Sequence, residues 1–400
     1  MLNAYIYDGL RSAFGKHGGA LASVRPDDLA GAVIKALIEK TNLPIDAVDD
    51  VILGNTNQAG EDSRNVARHA VLLAGLDVKT PAQTVNRLCA SGLGAVIDAA
   101  RAITCGEGDI YIAGGVESMS RAPFVTGKAE SAYSRDVKVF DSTIGARFPN
   151  KKIETAFGDD TMPKTGDNVA VEFGISREQA DEFALASQHK YQKAQESGFF
   201  VEEITPISVS QGKKLPPLEI KEDEHPRANS KIESLTKLKP LFEGGVVTAG
   251  NASGVNDGAA ALIIGSEAAE KVIGKKPIAK ILASAAMGIE PRIMGAGPIE
   301  AIKLALKRAN LSLDDMDIIE INEAFASQVL SCLKGLNVEF NDPRVNPNGG
   351  AIAVGHPLGA SGARLTLTVA RELQRQQKKY AVISLCIGVG QGLAMVIERV

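Results

Sequence analysis

Two stretches of the chain show the same unusual pattern, and this similarity constrains the fold most strongly. A glycine-rich segment, GVNDG at 254–258, precedes the apolar run 259–264, and GVGQG at 388–392 precedes the apolar run 393–397. Each combination is typical of a tight turn that leads into a buried strand. The two matches together predict that the chain is built from two similar halves.

A second pair of segments supports this interpretation. Residues 313–322 (LDDMDIIEIN) resemble residues 45–55 (IDAVDDVILGN) when one gap is allowed. In both segments, acidic residues are followed by an apolar, strand-like run that ends at an asparagine. We therefore expect corresponding strands in the two halves.

Strand-like and helix-like segments alternate along both halves. The strand-like segments are 4–7, 51–55, 109–113 and 280–285, and the segments with apolar residues at helical spacing are 29–39, 93–103 and 298–308. Such alternation predicts a parallel, layered α/β fold.

The first half is interrupted by a region of different composition, at 123–246. This region is charged, contains five prolines between 206 and 240, and includes a helix-like run at 177–197. Loops inserted into a rigid scaffold are common places for substrate recognition. We therefore predict three units, which are an N-terminal half (1–122 plus 247–272), an inserted lid (123–246) and a C-terminal half (273–400).

Composition excludes several classes of protein. The net charge is −4 without a long basic block, which argues against a nucleic-acid-binding surface. The four cysteines have no short spacing, so neither a disulfide scaffold nor a structural zinc site is expected. There is no basic segment followed by an apolar one at the start and no run of eighteen apolar residues. We therefore expect a cytoplasmic protein without a membrane span.

Cys89 stands between an extended segment and the helix-like run 93–103. A thiol at a helix N-terminus lies near the positive end of the helix dipole, which favours the thiolate. The small neighbours Ala90, Ser91 and Gly92 allow a ligand to approach closely. Taken alone, however, this segment is more typical of a buried structural cysteine than of a nucleophile.

His356 lies in a glycine-rich loop that is otherwise uncharged, NPNGGAIAVGHPLGASG at 346–362. A neutral histidine in such a loop can take a proton from a thiol. It can equally well serve only to bond the loop backbone. The local sequence does not favour either role over the other.

Cys386 and Asn322 each follow or end a strand-like run. The glycine turn after Cys386 can present the N–H of Gly388 to an oxyanion, and the thiol can exchange a proton with a carbon acid or another thiol. The Asn322 amide can orient a water or donate to an oxyanion. The alternatives, a small apolar residue at a strand end and a helix-capping asparagine, are the more common uses of each residue.

Taken together and in order, these segments resemble the thiolase family along the whole chain. The resemblance is carried by VNRLCASGLGA at 85–95, GGVESMS at 114–120, TAGNASG at 248–254, NEAF at 322–325, NGGAIAVGHP at 348–357 and CIG at 386–388. It implies the thiolase fold, with two similar βαβαβαββ halves in a layered α-β-α-β-α arrangement and an inserted loop domain. It also implies a homo-oligomer, either dimer or tetramer, which uses coenzyme A as co-substrate and has no bound cofactor or metal.

The resemblance also implies catalytic roles. Cys89 corresponds to the acyl-accepting nucleophile, His356 to the base that activates it, and Cys386 to the acid/base cysteine. Asn322, through a water, and His356 would form one oxyanion hole, and the backbone amides of Cys89 and Gly388 the other. The implied reaction is CoA-dependent cleavage of a 3-oxoacyl-CoA through a covalent acyl-Cys89 intermediate.

Three further positions correspond to residues of the family that contact coenzyme A. Ser253 matches a serine near the pantetheine, Met162 a methionine near the thioester and Arg227 a cation near the adenine nucleotide. Thr161 stands where thiolases specific for acetoacetyl-CoA have a histidine, which argues against a simple acetoacetyl specificity.

A finer resemblance is to thiolases that act on 3-oxoadipyl-CoA in the breakdown of aromatic compounds. It is carried by QAGED at 58–62, NVAR at 65–68, GVESMSRAPFV at 115–125 and VNPNG at 345–349. The acyl chain of that substrate ends in a carboxylate, so its pocket needs a cation. Our candidate is Arg147 in the lid, and the alternative is an exposed lid arginine.

Other functions are compatible with parts of this pattern. The chain could be a 3-ketoacyl-CoA thiolase with broad specificity or an acetoacetyl-CoA thiolase. A condensing enzyme of the same fold uses two histidines beside its cysteine, whereas this chain supplies one histidine and a second cysteine. A non-catalytic CoA-binding protein of the thiolase fold would be favoured if Cys89 or Cys386 were missing, and both are present.

Overall fold

The computed structural model describes all 400 residues of the chain. The strands are β1 (Ala4–Ser12), β2 (Gly15–Lys16), β3 (Asp50–Gly54), β4 (Ala82–Val85), β5 (Ile110–Ser118), β6 (Phe124–Thr126), β7 (Val139–Asp141), β8 (Ile204–Thr205), β9 (Ile207–Val209), β10 (Leu218–Ile220), β11 (Asn256–Gly265), β12 (Ala279–Gly288), β13 (Ile318–Ile321), β14 (Tyr380–Ile387) and β15 (Gln391–Arg399). The α-helices are α1 (Pro26–Thr41), α2 (Val66–Ala74), α3 (Ser91–Cys105), α4 (Lys151–Phe157), α5 (Met162–Phe173), α6 (Arg177–Glu196), α7 (Ile232–Leu235), α8 (Glu270–Ile273), α9 (Gly297–Ala309), α10 (Ala326–Gly335), α11 (Ala351–Val354) and α12 (Leu358–Arg375).

The main strands form one mixed sheet path rather than the parallel sheet that the sequence predicted. Its order is β13-β14-β15-β12-β1-β11-β5-β3-β4. Only β13–β14, β3–β5 and β3–β4 pair in parallel along this path, and the other pairs are antiparallel. The parallel pairing expected from the sequence therefore holds only for these three pairs. A three-residue turn joins β14 to β15, and so short a connection permits only an antiparallel pair.

The predicted elements are present and are mostly longer than the sequence pattern indicated. The strand-like segments at 4–7 and 109–113 form the first parts of β1 and β5, and the helix-like segments at 93–103 and 298–308 lie within α3 and α9. The two apolar runs that follow glycine-rich turns are β11 and β15. These two strands occupy corresponding positions, beside β5 and β14 respectively.

Three hydrophobic clusters separate the layers. The helices α3 and α12 pack together in the central cluster, between inward-facing strand residues of both halves. A second cluster holds α1 and α2 against the N-terminal strands, and a third holds α9 and α10 against the C-terminal strands. This is the α-β-α-β-α arrangement that was expected.

One stretch, Leu88–Cys105, is long and apolar enough to cross a membrane by length and composition, which our reading of the sequence did not detect. It includes all of α3. Leu93, Val96 and Ile97 on this helix are at most 1% exposed and belong to the central cluster. The apolar character of α3 is therefore explained by its place at the centre of the core.

The chain between β5 and β11 leaves the sheet and returns to the same sheet. Within this segment, β8 pairs in parallel with the last two residues of β1, and α5 and α6 pack against α10. A buried ion pair anchors this region, because Arg11 of β1 donates to both carboxylate oxygens of Asp223 at 2.7 and 2.9 Å. Removing one partner of such a pair leaves a buried charge and is strongly destabilising. The proposed boundaries of a separate lid unit at 123–246 stay a prediction.

Candidate active site

Cys89 and His356 occupy corresponding positions ahead of the two central helices. Cys89 lies two residues before the start of α3, and His356 lies two residues before the start of α12. The two helix starts touch at glycines, because a Cβ atom on Gly92 would lie 2.5 Å from the carbonyl oxygen of Gly359. Glycine is needed here for close approach, and the approach brings the two loops to one place.

Residue Cys89 is half-buried, and its sulfur lies near two backbone donors. The N–H groups of Gly388 and of Cys89 itself both point towards its sulfur and lower its pKa, but burial outweighs them and raises the pKa above the ordinary value. The expected preference for the thiolate is therefore absent in the free protein. The preceding residue, Leu88, has a φ of +45°, a strained conformation of the kind that often marks functional loops.

The imidazole of His356 is held in one tautomer by Ser361. The Ser361 hydroxyl donates to the carbonyl of Pro357 at 2.9 Å and lies 2.6 Å from Nδ1 of His356. Because its single proton is used on Pro357, the hydroxyl accepts from Nδ1–H. The other ring nitrogen, Nε2, therefore carries the lone pair and can accept a proton.

The protonation state of His356 fits the same role. Burial and, to a smaller extent, the positive charge of Arg364 together lower its pKa to about 3. At neutral pH the ring is thus neutral and can act as a base. The backbone N–H of His356 donates to Oδ1 of Asn256 at 2.9 Å, which fixes the loop against β11.

Asn322 lies next to the free nitrogen of this imidazole. Its Nδ2 is 3.4 Å from Nε2 of His356, and the whole side chain is buried. The Oδ1 atom is also buried and has no hydrogen-bond partner. A buried amide of this kind can bind a water or a polar ligand atom, because an unpaired acceptor is costly.

Cys386 is completely buried near the end of β14. It packs in an apolar cluster with Met294 and Phe325, and Met162 lies against the same cluster. Burial raises the pKa of its thiol well above the usual value, and the neighbouring Cys89 raises it further. Cys386 is therefore protonated at neutral pH and can serve as an acid.

Three residues that position this site were not predicted from the sequence. They are Ser361, Asn256 and Glu117. The carboxylate of Glu117 accepts the N–H groups of Thr56, Asn57 and Gly359, at 2.9–3.1 Å. Ser361 could have been found, since it lies five residues after His356 in the first turn of the next helix. Nothing in the local sequence indicates Asn256 or Glu117, because their partners are distant in the chain.

The structure brings two of the three proposed CoA contacts close to residues of the site. Met162 is the first residue of α5, and its sulfur lies 3.6 Å from the position that a Cβ atom on Gly388 would take. Ser253 is bonded through its N–H to the carbonyl of Ala324, two residues from Asn322. Arg227 is exposed, and its backbone N–H donates to the side-chain oxygen of Gln188 at 2.9 Å.

Arg147 contacts the lid and none of the residues above. Its Nη2 donates to the carbonyl of Ser142 at 3.0 Å, while its Nε is buried without a partner. The Ser142 hydroxyl in turn accepts from the Asn57 side chain at 3.0 Å. The backbone N–H of Asn57 donates to the carboxylate of Glu117. These hydrogen bonds connect the segment of Arg147, through Ser142, to the loop of Asn57 beside Glu117.

Comparison with known proteins agrees with this geometry. A family model described as "Thiolase, N-terminal domain" matches residues 4–268, and one described as "Thiolase, C-terminal domain" matches residues 275–399. In structure, the chain is similar to human mitochondrial 3-ketoacyl-CoA thiolase, with a TM-score of 0.92 and 40% identity, over 100% of this chain and 99% of that one.

Sequence relatives are similar over their full lengths. The chain is 56% identical to the beta-ketoadipyl-CoA thiolase of Acinetobacter baylyi over 402 residues, covering 100% of both proteins. It is also 56% identical to the 3-oxoadipyl-CoA/3-oxo-5,6-dehydrosuberyl-CoA thiolase of Escherichia coli, with the same coverage. The family models alone span nearly the whole chain, and the relatives agree with them, so the chain belongs to the thiolase family.

Proposed function

We propose that this thiolase cleaves 3-oxoadipyl-CoA with coenzyme A to give succinyl-CoA and acetyl-CoA. The reaction class is supported by two observations: the Gly388 N–H and Cys386 both lie near the Cys89 thiol, and the helix starts that follow Cys89 and His356 touch at Gly92 and Gly359. The substrate is supported by the two relatives at 56% identity whose names include this acyl group. The human 3-ketoacyl-CoA thiolase, at 40% identity, supports the alternative of broad aliphatic specificity less strongly.

In the first half-reaction, the sulfur of Cys89 attacks the 3-oxo carbon while Nε2 of His356 takes the thiol proton. Negative charge that develops on the 3-oxo oxygen is stabilised by the N–H groups of Cys89 and Gly388, which already point towards this sulfur. The bond between C2 and C3 then breaks, and the acyl group stays on Cys89 as a thioester.

The electron pair of the broken bond leaves with acetyl-CoA as its enolate. The enolate oxygen faces protonated His356 and a water held by Asn322, which together stabilise its charge. The enolate carbon takes the proton of Cys386, whose high pKa keeps it protonated until that moment. Acetyl-CoA leaves, and Cys386 remains as a thiolate.

The second half-reaction restores every proton. The Cys386 thiolate removes the proton of an incoming CoA thiol, whose sulfur attacks the acyl-Cys89 thioester. The tetrahedral intermediate again places its oxygen between the N–H groups of Cys89 and Gly388. Its collapse releases the acyl-CoA and the Cys89 thiolate, which takes back the proton from His356.

Coenzyme A is bound as a substrate along the side of the site formed by Met162 and Ser253. Met162 lies against the cluster that holds Cys386, close enough to contact the thioester end. We assign Ser253 to the pantetheine and the exposed Arg227 to the anionic nucleotide end.

We further propose that Arg147 binds the distal carboxylate of the acyl chain. Its Nε donor is buried and unpaired, and its segment is bonded through Ser142 to the loop of Asn57, which contacts Glu117. A guanidinium can hold a carboxylate through two parallel hydrogen bonds, which glutamine cannot reproduce.

The test is steady-state kinetics with 3-oxoadipyl-CoA and acetoacetyl-CoA side by side, on wild type, Arg147→Gln and the control Arg135→Gln. Losing a charge-assisted contact costs roughly 1.5–3 kcal/mol, so kcat/KM of Arg147→Gln for 3-oxoadipyl-CoA should fall by about ten- to hundredfold. Its kcat/KM for acetoacetyl-CoA should stay nearly unchanged. Arg135, an exposed arginine of the same lid, should affect neither substrate.

Two results would contradict parts of this proposal. Equal losses of Arg147→Gln on both substrates would mean that Arg147 supports the lid. Wild-type enzyme that prefers acetoacetyl-CoA would overturn the choice of 3-oxoadipyl-CoA while leaving the thiolase chemistry intact.

A homo-oligomer, dimer or tetramer, is also part of the proposal. Strand β4 ends the sheet with one side unpaired, and an unpaired edge is a common site of self-association. The β6–β7 hairpin and its connection carry exposed apolar side chains, including Phe124, Val137 and Val139, each at least 60% exposed. Apolar surface of this extent commonly marks contacts between subunits, and light scattering at several protein concentrations would measure the assembly.

A further inference from the structure

A large cleft lies away from the cysteines, at the far end of α12. Its volume is about 820 Å³, which is in the range of small-molecule sites. Helix α12 starts just after His356, whereas Arg371, near its other end, lines the cleft. A helix rises about 1.5 Å per residue, so Arg371 is roughly 20 Å from the helix start. The cleft is therefore separate from the catalytic site.

Three cations converge on a single carboxylate in this cleft. Lys40 at the end of α1, Lys275 in the segment before β12 and Arg371 lie 3.2, 2.6 and 2.9 Å from the carboxylate of Asp8. The Asp8 side chain is 5% exposed, so it lies beneath the cations that surround it. One buried negative charge thus faces three positive charges.

The remaining charged residues of the cleft are Glu39, Glu202 and Lys276. Glu202 pairs with Arg371 at 2.8 Å, but its side chain is 78% exposed and therefore screened by water. The side chain of Glu39 is likewise 66% exposed. The lining thus holds four cations and three carboxylates, which leaves an excess of one positive charge.

The cleft also has apolar walls. Leu10, Val201 and Ile278 line the cleft beside these charges, and Val201 is 77% exposed. An occupant with anionic groups and a short apolar segment would contact the cations and cover the apolar walls.

We propose that this cleft binds a small organic dianion, a compound with two anionic groups joined by a short linker. The anionic groups, either carboxylate or phosphate, contact Lys40, Lys275 and Arg371. The buried Asp8 carboxylate competes with these anionic groups for the same three cations. Binding here is independent of the thiolase reaction, because no residue of the cleft belongs to the catalytic site.

The experiment measures binding of glutarate and of inorganic pyrophosphate to the full-length protein by calorimetry, with sodium chloride at matched ionic strength as reference. Lys275→Gln and Lys40→Gln should each weaken the dissociation constant by about tenfold, the effect of one lost charge-assisted contact. The control is Lys35→Gln, on the same helix α1, whose side chain is 60% exposed and does not line the cleft. It should bind like wild type.

A variant that is expected to strengthen dianion binding sharpens the test. Asp8→Asn removes the competing carboxylate, so the dianion should bind about tenfold more tightly and raise the melting temperature more than it does for wild type. Binding of glutarate alone, or of pyrophosphate alone, supports the proposal and assigns the anionic group. Thiolysis by the two lysine variants, without added dianion, should equal that of wild type.

Two results would overturn the proposal. One is a response to both dianions that equals the response to sodium chloride in every protein, since this would be screening alone. The other is loss of binding in Arg147→Gln with no change in Lys275→Gln and Lys40→Gln, which would place the dianion in the acyl pocket.

Discussion

The two halves of the molecule use the same scaffold to present different chemical groups. In the N-terminal half the loop ahead of α3 carries Cys89, and in the C-terminal half the corresponding loop ahead of α12 carries His356. In both loops the residue three positions later is a glycine, Gly92 or Gly359, and the two glycines lie at the helix contact. The proposed nucleophile and its proposed base are thus side chains at equivalent positions of a duplicated fold.

The halves differ in what joins their last two strands. Strands β14 and β15 are joined by residues 388–390 alone, whereas residues 119–255 lie between the corresponding strands β5 and β11. The short turn presents the N–H of Gly388 to Cys89, and the long excursion supplies Met162 and Ser253. The C-terminal half therefore contributes a short turn with a backbone donor beside Cys89. The N-terminal half contributes the long segment that carries the proposed CoA contacts.

The asparagines that follow β3 and β13 show the same divergence. Both have a buried Oδ1 without a partner. The Nδ2 of Asn55 donates to the carbonyl of Val116 at 2.9 Å, which ties β5 in place, whereas the Nδ2 of Asn322 lies against His356. Equivalent positions have thus taken a structural role in one half and a place in the site in the other.

The largest effect of breaking this division of roles is expected from Cys386→Ala. The C-terminal half would lose its acid, so kcat should fall by about a hundredfold or more. Alkylation of Cys89 by iodoacetamide should remain stoichiometric, because the base His356 is untouched. A variant that kept most of the wild-type kcat would remove Cys386 from the mechanism.

The paired variants Asn322→Ala and Asn55→Ala compare the halves directly. Losing an oxyanion donor costs about 10²–10³ in kcat, so Asn322→Ala should be a catalytic variant of nearly normal stability. Asn55→Ala leaves the buried carbonyl of Val116 unpaired and should lower the free energy of unfolding by about 1–3 kcal/mol with little change in kcat. Kinetics and urea unfolding of both variants check this, and similar profiles for the two would contradict the comparison.

A smaller effect is expected from Ser361→Ala, which removes the acceptor that fixes the tautomer of His356. Burial raises the pKa of Cys89, so at pH 7 formation of its thiolate relies on His356. Alkylation of Cys89 at pH 7 should therefore slow by about three- to tenfold, an order-of-magnitude estimate for a misoriented base. The difference should shrink as pH rises towards the thiol pKa, where solvent base suffices. A deficit that is constant from pH 7 to pH 10 would mean that Ser361 only supports the loop.

The sequence predicted most of the elements because their signals are local. Glycine-rich turns before apolar runs correctly marked β11 and β15, and helical spacing marked α3. The expected parallel pairing holds only for three strand pairs, because strand direction depends on which strands meet across long connections. Glu117 could not be found for a similar reason, since its donors come from residues 56–57 and 359. The thiolate preference of Cys89 was overestimated because the helix dipole is visible in the sequence and burial is not.

The central claim is that the N-terminal half supplies the only acyl-accepting thiol, and mass spectrometry tests it most directly. Wild-type protein exposed briefly to 3-oxoadipyl-CoA and then digested should carry an acyl adduct on Cys89. The Cys89→Ser variant should carry none, because a hydroxyl near neutral pH is a far poorer nucleophile than a thiolate. An adduct found instead on Cys105, Cys332 or Cys386 of the wild type would contradict the account.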